Sequence, residues 1–185
     1  MRKPSYKRFC KVGPQSHHRV DKLKLGVYTL NMKEHMHQPS VAQLAEIAEA
    51  CACLNVRKAA RAVTHLYDEV LQPSGLRSTQ FNLLVAVALA GEAPVMRLAE
   101  VLVMDRTTLT RNLKPLESQG FLTIDAGTDR RKHLVRLTER GRQALVTALP
   151  YWEQAQDQVV RHLGQAQWHA LLAELNAVVT LAPPF

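Results

Sequence analysis

Between residues 105 and 118, hydroxyls and cations alternate with leucines: Arg106, Thr107, Thr108, Thr110, Arg111 and Lys114 against Leu109, Leu113 and Leu116. At about 100° per residue the leucines share one helix face, while Thr107, Arg111, Lys114 and Ser118 share the opposite one. Short hydroxyls reach bases or phosphates, arginine grips guanine with two donors, and lysine neutralises phosphate. A second basic group follows in Asp129-Arg130-Arg131-Lys132. Three adjacent cations repel one another, and a polyanion removes that cost. An arginine there also suits the negative potential of a minor groove. Asp129 either aims a neighbouring guanidinium through a paired hydrogen bond or simply forms the turn.

Other chemistry is thinly represented. Cys10, Cys51 and Cys53 are too few for a disulfide framework and fit a reducing, cytoplasmic location. Cys51 and Cys53, two residues apart on one expected helix, lie about 200° apart around its axis, a poor chelate. There is no glycine-rich phosphate loop, no His-Glu-x-x-His and no Gly-x-Ser-x-Gly. Neither an enzyme nor a metal or cofactor is expected. The longest strictly apolar run, Leu83 to Ala90, is too short to span a membrane, so no membrane partner is expected.

Charge locates the basic chemistry. The net +8 is concentrated in residues 1–35, with nine Lys/Arg against two Asp/Glu. Residues 105–142 carry nine against five, between weakly acidic flanks. That local excess is the footprint expected of a polyanion site.

The elements needed to position these residues follow from periodicity. Residues 1–38 show no sustained period and are expected to be a basic, disordered extension, with Met32 or Met36 as a candidate start. Ser40-Val-Ala-Gln43 has capping-box form. A single helix of roughly 30 residues follows, ended by Pro73-Ser74-Gly75. At about 45 Å it exceeds a small core, so part of it projects and wants a partner. Thr79 to Ala90 reads as a buried helix, Pro94-Val95 as an extended link, Met96 to Val103 as a third helix, and Arg106 to about Ser118 as the fourth. Phe121 to Ala126 and Lys132 to Leu137 alternate as strands of a hairpin whose tip is the basic tetrad. Thr138 caps a helix to about Leu163, bent near Pro150, and a final amphipathic helix carries Trp168, Leu171, Leu172, Leu175, Val178 and Val179. The fold class is α+β, mostly helical. The expected domains are an N-terminal helix (39–75) that wants a partner, a winged helix-turn-helix lobe (76–140) and C-terminal helices (141–182).

The motifs Asp129-Arg-Arg131-Lys-His-Leu-Val-Arg-Leu137-Thr138-Glu-Arg-Gly141, Leu98-Ala-Glu and Asp105 through Gly120 resemble the MarR family of bacterial transcriptional regulators. The resemblance implies a homodimer on pseudo-palindromic, double-stranded promoter DNA, most often a repressor, with residues 39–75 and 141–182 as its N- and C-terminal dimerisation helices. It also implies a small aromatic or phenolic ligand, bound between the dimer helices and the DNA lobe, that releases the DNA. Cys53 to Tyr67 is similar to the first helix of the organic-hydroperoxide-sensing branch, where a cysteine at this place oxidises and a tyrosine supports it. That makes a redox sensor using Cys53 and Tyr67 an alternative, although Arg57 stands where that branch has a second tyrosine. The alternative from another class is a winged-helix docking module that binds no DNA.

Overall fold

The structure is a computed structural model describing residues 38–126 and 133–182. The chain divides into two units, Met1–Cys51 and Ala52–Phe185. In the first, helix α1 spans Val41–Ala50. The Ser40 hydroxyl accepts from the Gln43 amide (3.2 Å), and the Gln43 side chain accepts from the Ser40 amide (2.8 Å). This is the reciprocal cap expected from Ser-x-x-Gln. The helix ends at Cys51, whose ψ of 109° is extended. The single helix of roughly 30 residues expected from periodicity is therefore two. No proline or glycine marks the break, so the apolar spacing ran on through it.

The second unit opens with α2, Ala52–Leu71, followed by a 3-10 turn at Gln72–Ser74. Helices α3 (Ser78–Ala90), α4 (Val95–Val101) and α5 (Arg106–Ser118) come next. Strands β2 (Leu122–Ala126) and β3 (His133–Leu137) precede α6 (Glu139–Leu163) and α7 (Gln165–Val179). A third strand, β1 (Glu92–Pro94), occupies part of the stretch expected to be a plain link. It pairs antiparallel with β3, placing Glu92 opposite Arg136, in a sheet of order β1-β3-β2. Three residues with a proline carry too little period to announce a strand. Helix α6 is continuous through Pro150.

The core sits where α3 meets α5, the sheet and α6. Leu84, Leu98, Leu109, Leu113, Leu116, Leu122 and Val135 are almost wholly buried. Each such side chain contributes about 1.5–3 kcal/mol by leaving water. Trp152 of α6 stacks on Phe81 of α3, with centroids 6.3 Å apart. By contrast, Val56 through His65 of α2 is exposed throughout, and α7 buries no residue. Leu171, Leu172, Leu175, Val178 and Val179 stand open along α7.

Both ends of the turn system around α5 close in the same way. After α4, the Met104 amide bonds the Ala99 carbonyl (2.9 Å) and the Val103 amide bonds that of Glu100 (3.2 Å). After α5, the Phe121 amide bonds Leu116 (2.9 Å) and the Gly120 amide bonds Glu117 (2.8 Å). This closure needs a left-handed residue. Gly120 supplies it at φ +73°, while Val103 is forced to φ +52°. A β-branched residue is strained there. Val103→Gly should therefore stabilise the fold by about 0.5–1 kcal/mol, the relief of strain being partly offset by glycine's unfolded-state entropy. Urea unfolding checks this; an unchanged or lower midpoint refutes it.

Candidate nucleic-acid interface

Helix α5 is anchored by its leucines and presents its polar side outward. Leu109, Leu113 and Leu116 are fully buried. Arg106, Thr107, Thr108, Arg111 and Lys114 are exposed, and Thr110 is half-buried. The Thr110 hydroxyl donates to the Arg106 carbonyl of its own helix (2.8 Å), so it is engaged inward in a way helical spacing could not reveal. Asp105 caps the helix by accepting from the Thr108 amide (2.9 Å). Hydrogen bonds from the Thr108 side chain and backbone hold the Asp105 carboxyl below the usual carboxylate range. It therefore stays ionised at neutral pH beside the positive helix end.

Ion pairing separates two kinds of arginine. Arg97 pairs with Glu100, Arg136 with Glu92 across the β1–β3 register, and Arg142 with Glu139. Among the described residues, Arg106, Arg111 and Lys114 enter no ion pair. Like Arg57, Lys58, Arg61, Arg77 and Arg161 elsewhere among the described residues, the cations of α5 within residues 97–142 are thus left for an external anion. Arg136 could not be sorted from them by sequence, because its partner lies on the unforeseen strand. A groove of about 480 Å³ runs beside α5, between Arg106, Thr110 and Lys114 on one wall and Met96, Ile124 and His133 on the other.

The root of the hairpin is built by the Leu137-Thr138-x-x-Gly141 motif. The Thr138 hydroxyl donates to the Gly120 carbonyl (2.7 Å) and accepts from the Gly141 amide (3.0 Å). The Thr138 amide donates to the Phe121 carbonyl (3.0 Å). Gly141 is buried against that same carbonyl. The Arg140 guanidinium lies 5.4 Å from the Phe121 ring centroid, closing the joint from outside. The hairpin strands are as expected. Its tip, with Asp129, Arg130, Arg131 and Lys132, lies outside the described residues.

Cys53 is a free, exposed thiol near the start of α2. Tyr67 lies fourteen residues further along the same helix, about 21 Å away at 1.5 Å per residue. Its hydroxyl donates to Gln156 Oε1 (2.6 Å), and burial pushes the phenol above its ordinary pKa. Within one chain the two residues are not brought together. Among the described residues no group of three or more His, Cys, Asp or Glu is placed to hold a metal ion, and no helix is long and apolar enough to cross a membrane.

Two helices joined by a tight turn, the second outward and cationic, with a β-hairpin behind them, define a winged helix-turn-helix protein. A model of the MarR family matches residues 74–132. The M. tuberculosis transcriptional regulator MosR, solved in complex with DNA, is 36% identical, with a TM-score of 0.66 over 71% of this chain and 96% of that one. A mutant of E. coli MarR complexed with operator DNA superposes with a TM-score of 0.65 over 72% of this chain and 96% of its own, at 22% identity, which speaks to fold alone. The uncharacterized HTH-type regulator YwoH of Bacillus subtilis (strain 168) is 31% identical over 84 residues, which cover 45% of this chain and 61% of YwoH. The chain belongs to the MarR family of winged-helix transcriptional regulators.

Proposed function

We propose that the protein binds double-stranded, pseudo-palindromic promoter DNA as a homodimer and represses transcription there. The unpaired, outward cations of α5 carry the reading, because the other described arginines of residues 97–142 are paired with acids or, at Arg140, stacked on a ring. Arg106, Thr107, Thr108, Arg111 and Lys114 face the groove of the duplex. Thr110 supports the helix from within. Arg130, Arg131 and Lys132 meet phosphate or the minor groove, with Asp129 directing them. The MosR–DNA complex, at 36% identity, supports a DNA partner over a docking partner. The open apolar rows of α7 and the exposed half of α2 support a second copy as their cover.

DNA release by a small aromatic acid is part of the proposal, with the ligand in a groove of the DNA lobe itself rather than between that lobe and the dimer helices. The groove beside α5 suits such a ligand, with Met96 and Ile124 for a ring and Arg106, Lys114 and His133 for a carboxylate. The open cleft at the α2–α3 joint is lined by Asp68 and Glu69 beside His65 and Arg77 and offers only Leu76 as a large apolar side chain for a ring. A ligand in the groove takes two α5 cations from the phosphates.

The test is selection of duplexes from a random pool by the full chain, then sedimentation of the complex. An inverted repeat holding two protein copies, released by millimolar benzoate or salicylate, is the expected result. No enrichment removes DNA binding; one copy per duplex removes the dimer; indifference to both acids removes this ligand class.

A further inference from the structure

We propose that Asp68 is a positioning residue that clasps the DNA-binding lobe to the helix carrying it. The observation is a pair of short hydrogen bonds. Asp68 Oδ1, in the last turn of α2, accepts from the Ser78 amide (2.7 Å) and from the Ser78 hydroxyl (2.6 Å). Ser78 is the first residue of α3 and the only buried polar residue among those described.

Both helices gain from this arrangement only in combination. A carboxylate in the last turn of α2 faces the negative end of its own dipole, which is unfavourable. The start of α3 has the opposite need. The residue before it, Arg77, has no acceptor in its side chain, so α3 lacks a cap of the usual kind. The Gln80 side chain accepts from the Arg77 amide (3.0 Å), and the next amide, that of Ser78, is left to Asp68. One carboxylate from the neighbouring helix thus supplies the missing cap, as a charge-assisted pair of bonds.

The chain between the two helices is tied down as well. The Ser74 hydroxyl donates to the Leu71 carbonyl (2.7 Å) and accepts from the Leu76 amide (3.3 Å). Leu76 is buried, and Gly75 turns the chain at φ +76°. With the linker short and bonded, the Asp68–Ser78 clasp fixes the angle between α2 and α3. Helix α3 in turn packs on α5 through the common core.

Resting on the DNA-binding dimer proposed above, the consequence is geometric. Two α5 helices must enter major grooves one helical turn, or about 34 Å, apart. A loose joint leaves each lobe able to bind its half-site but makes joint engagement less favourable. The clasp therefore sets the half-site spacing the dimer prefers.

The experiment uses the full chain and the inverted repeat enriched from the random pool. Three duplexes are compared: intact, with one half-site scrambled, and with one base pair inserted between half-sites. In Asp68→Ala, affinity for the intact duplex should fall about tenfold or more, with the scrambled duplex held within about twofold. The one-base-pair insertion should cost this variant less than it costs the parent. Asp68→Asn, which restores an acceptor, should recover most of the loss. Should Asp68→Ala melt below the assay temperature, Ser78→Ala keeps the amide bond and should show the same pattern at about threefold. Equal losses on intact and scrambled duplexes, or an unchanged spacing preference, overturn the clasp and leave the DNA reading standing. Failure of the parent chain to enrich any duplex overturns both.

Discussion

Arg111→Ala is expected to weaken binding to the enriched duplex by about 1–3 kcal/mol and to relax base preference at one position of each half-site. The residue stands opposite the buried Leu109 and Leu113, exposed and without an ion-pair partner among the described residues. That is the place on α5 from which a guanidinium can meet a base edge. Lys114→Ala is the internal comparison. A lysine that only neutralises phosphate should lower affinity for the enriched duplex and for random duplex alike. It should also reduce the slope of log affinity against log salt by about one for each lost contact. Salt titrations of both variants on both duplexes decide the matter. Indistinguishable behaviour of the two would place the wrong face of α5 on the DNA.

Gly141→Ala should be among the most damaging single-methyl additions in the chain, costing about 3 kcal/mol, at the top of the usual range for overpacking. A Cβ there would lie 2.0 Å from the Phe121 carbonyl oxygen and 2.8 Å from Leu137 Cδ1. The first obstacle is backbone and cannot rotate away. For a chain of this size the loss corresponds to a fall in melting temperature of roughly 6–12 °C. Gly75→Ala is the contrast: its Cβ would meet nothing within 4 Å, and only the positive φ opposes it, at about 1 kcal/mol. Thermal melts of the two variants check the order. A smaller drop for Gly141→Ala than for Gly75→Ala would mean that the hairpin root gives way easily.

Much of the DNA-binding unit was legible in the sequence because its signals are strong and local. Leucines at 109, 113 and 116 fixed the buried side of α5 and hence its outward side. Thr138 announced the start of α6, and the observed cap uses its hydroxyl as acceptor for the Gly141 amide. Three features were not legible, each for a physical reason. The break at Cys51 lies in a helix-favouring stretch without proline or glycine, so periodicity passed over it. Strand β1 is three residues long and exists through its pairing with β3, a contact some forty residues distant. The inward bond of Thr110 depends on a rotamer, which helical spacing does not encode. The same limit applied to the arginines, whose sorting into paired and unpaired required the register of the sheet. The paired set explains why a count of basic residues overstated the charge offered to DNA.

Helix α6 has a mechanical consequence. Its first turn is bolted to the Gly120–Phe121 corner through Thr138 and Gly141, and its later turns bury Ala148 and Ala155. Tyr67 of α2 bonds it at Gln156. One helix of 25 residues, about 38 Å long, therefore touches the hairpin root at its start and the carrier helix roughly two-thirds of the way along. A tilt of about 5° at the root displaces the far end by about 3 Å, through lever geometry on a rod of that length. Motion of the hairpin is thereby coupled to motion of α2, with the Trp152–Phe81 stack and the buried Ala148 lying between the two joints.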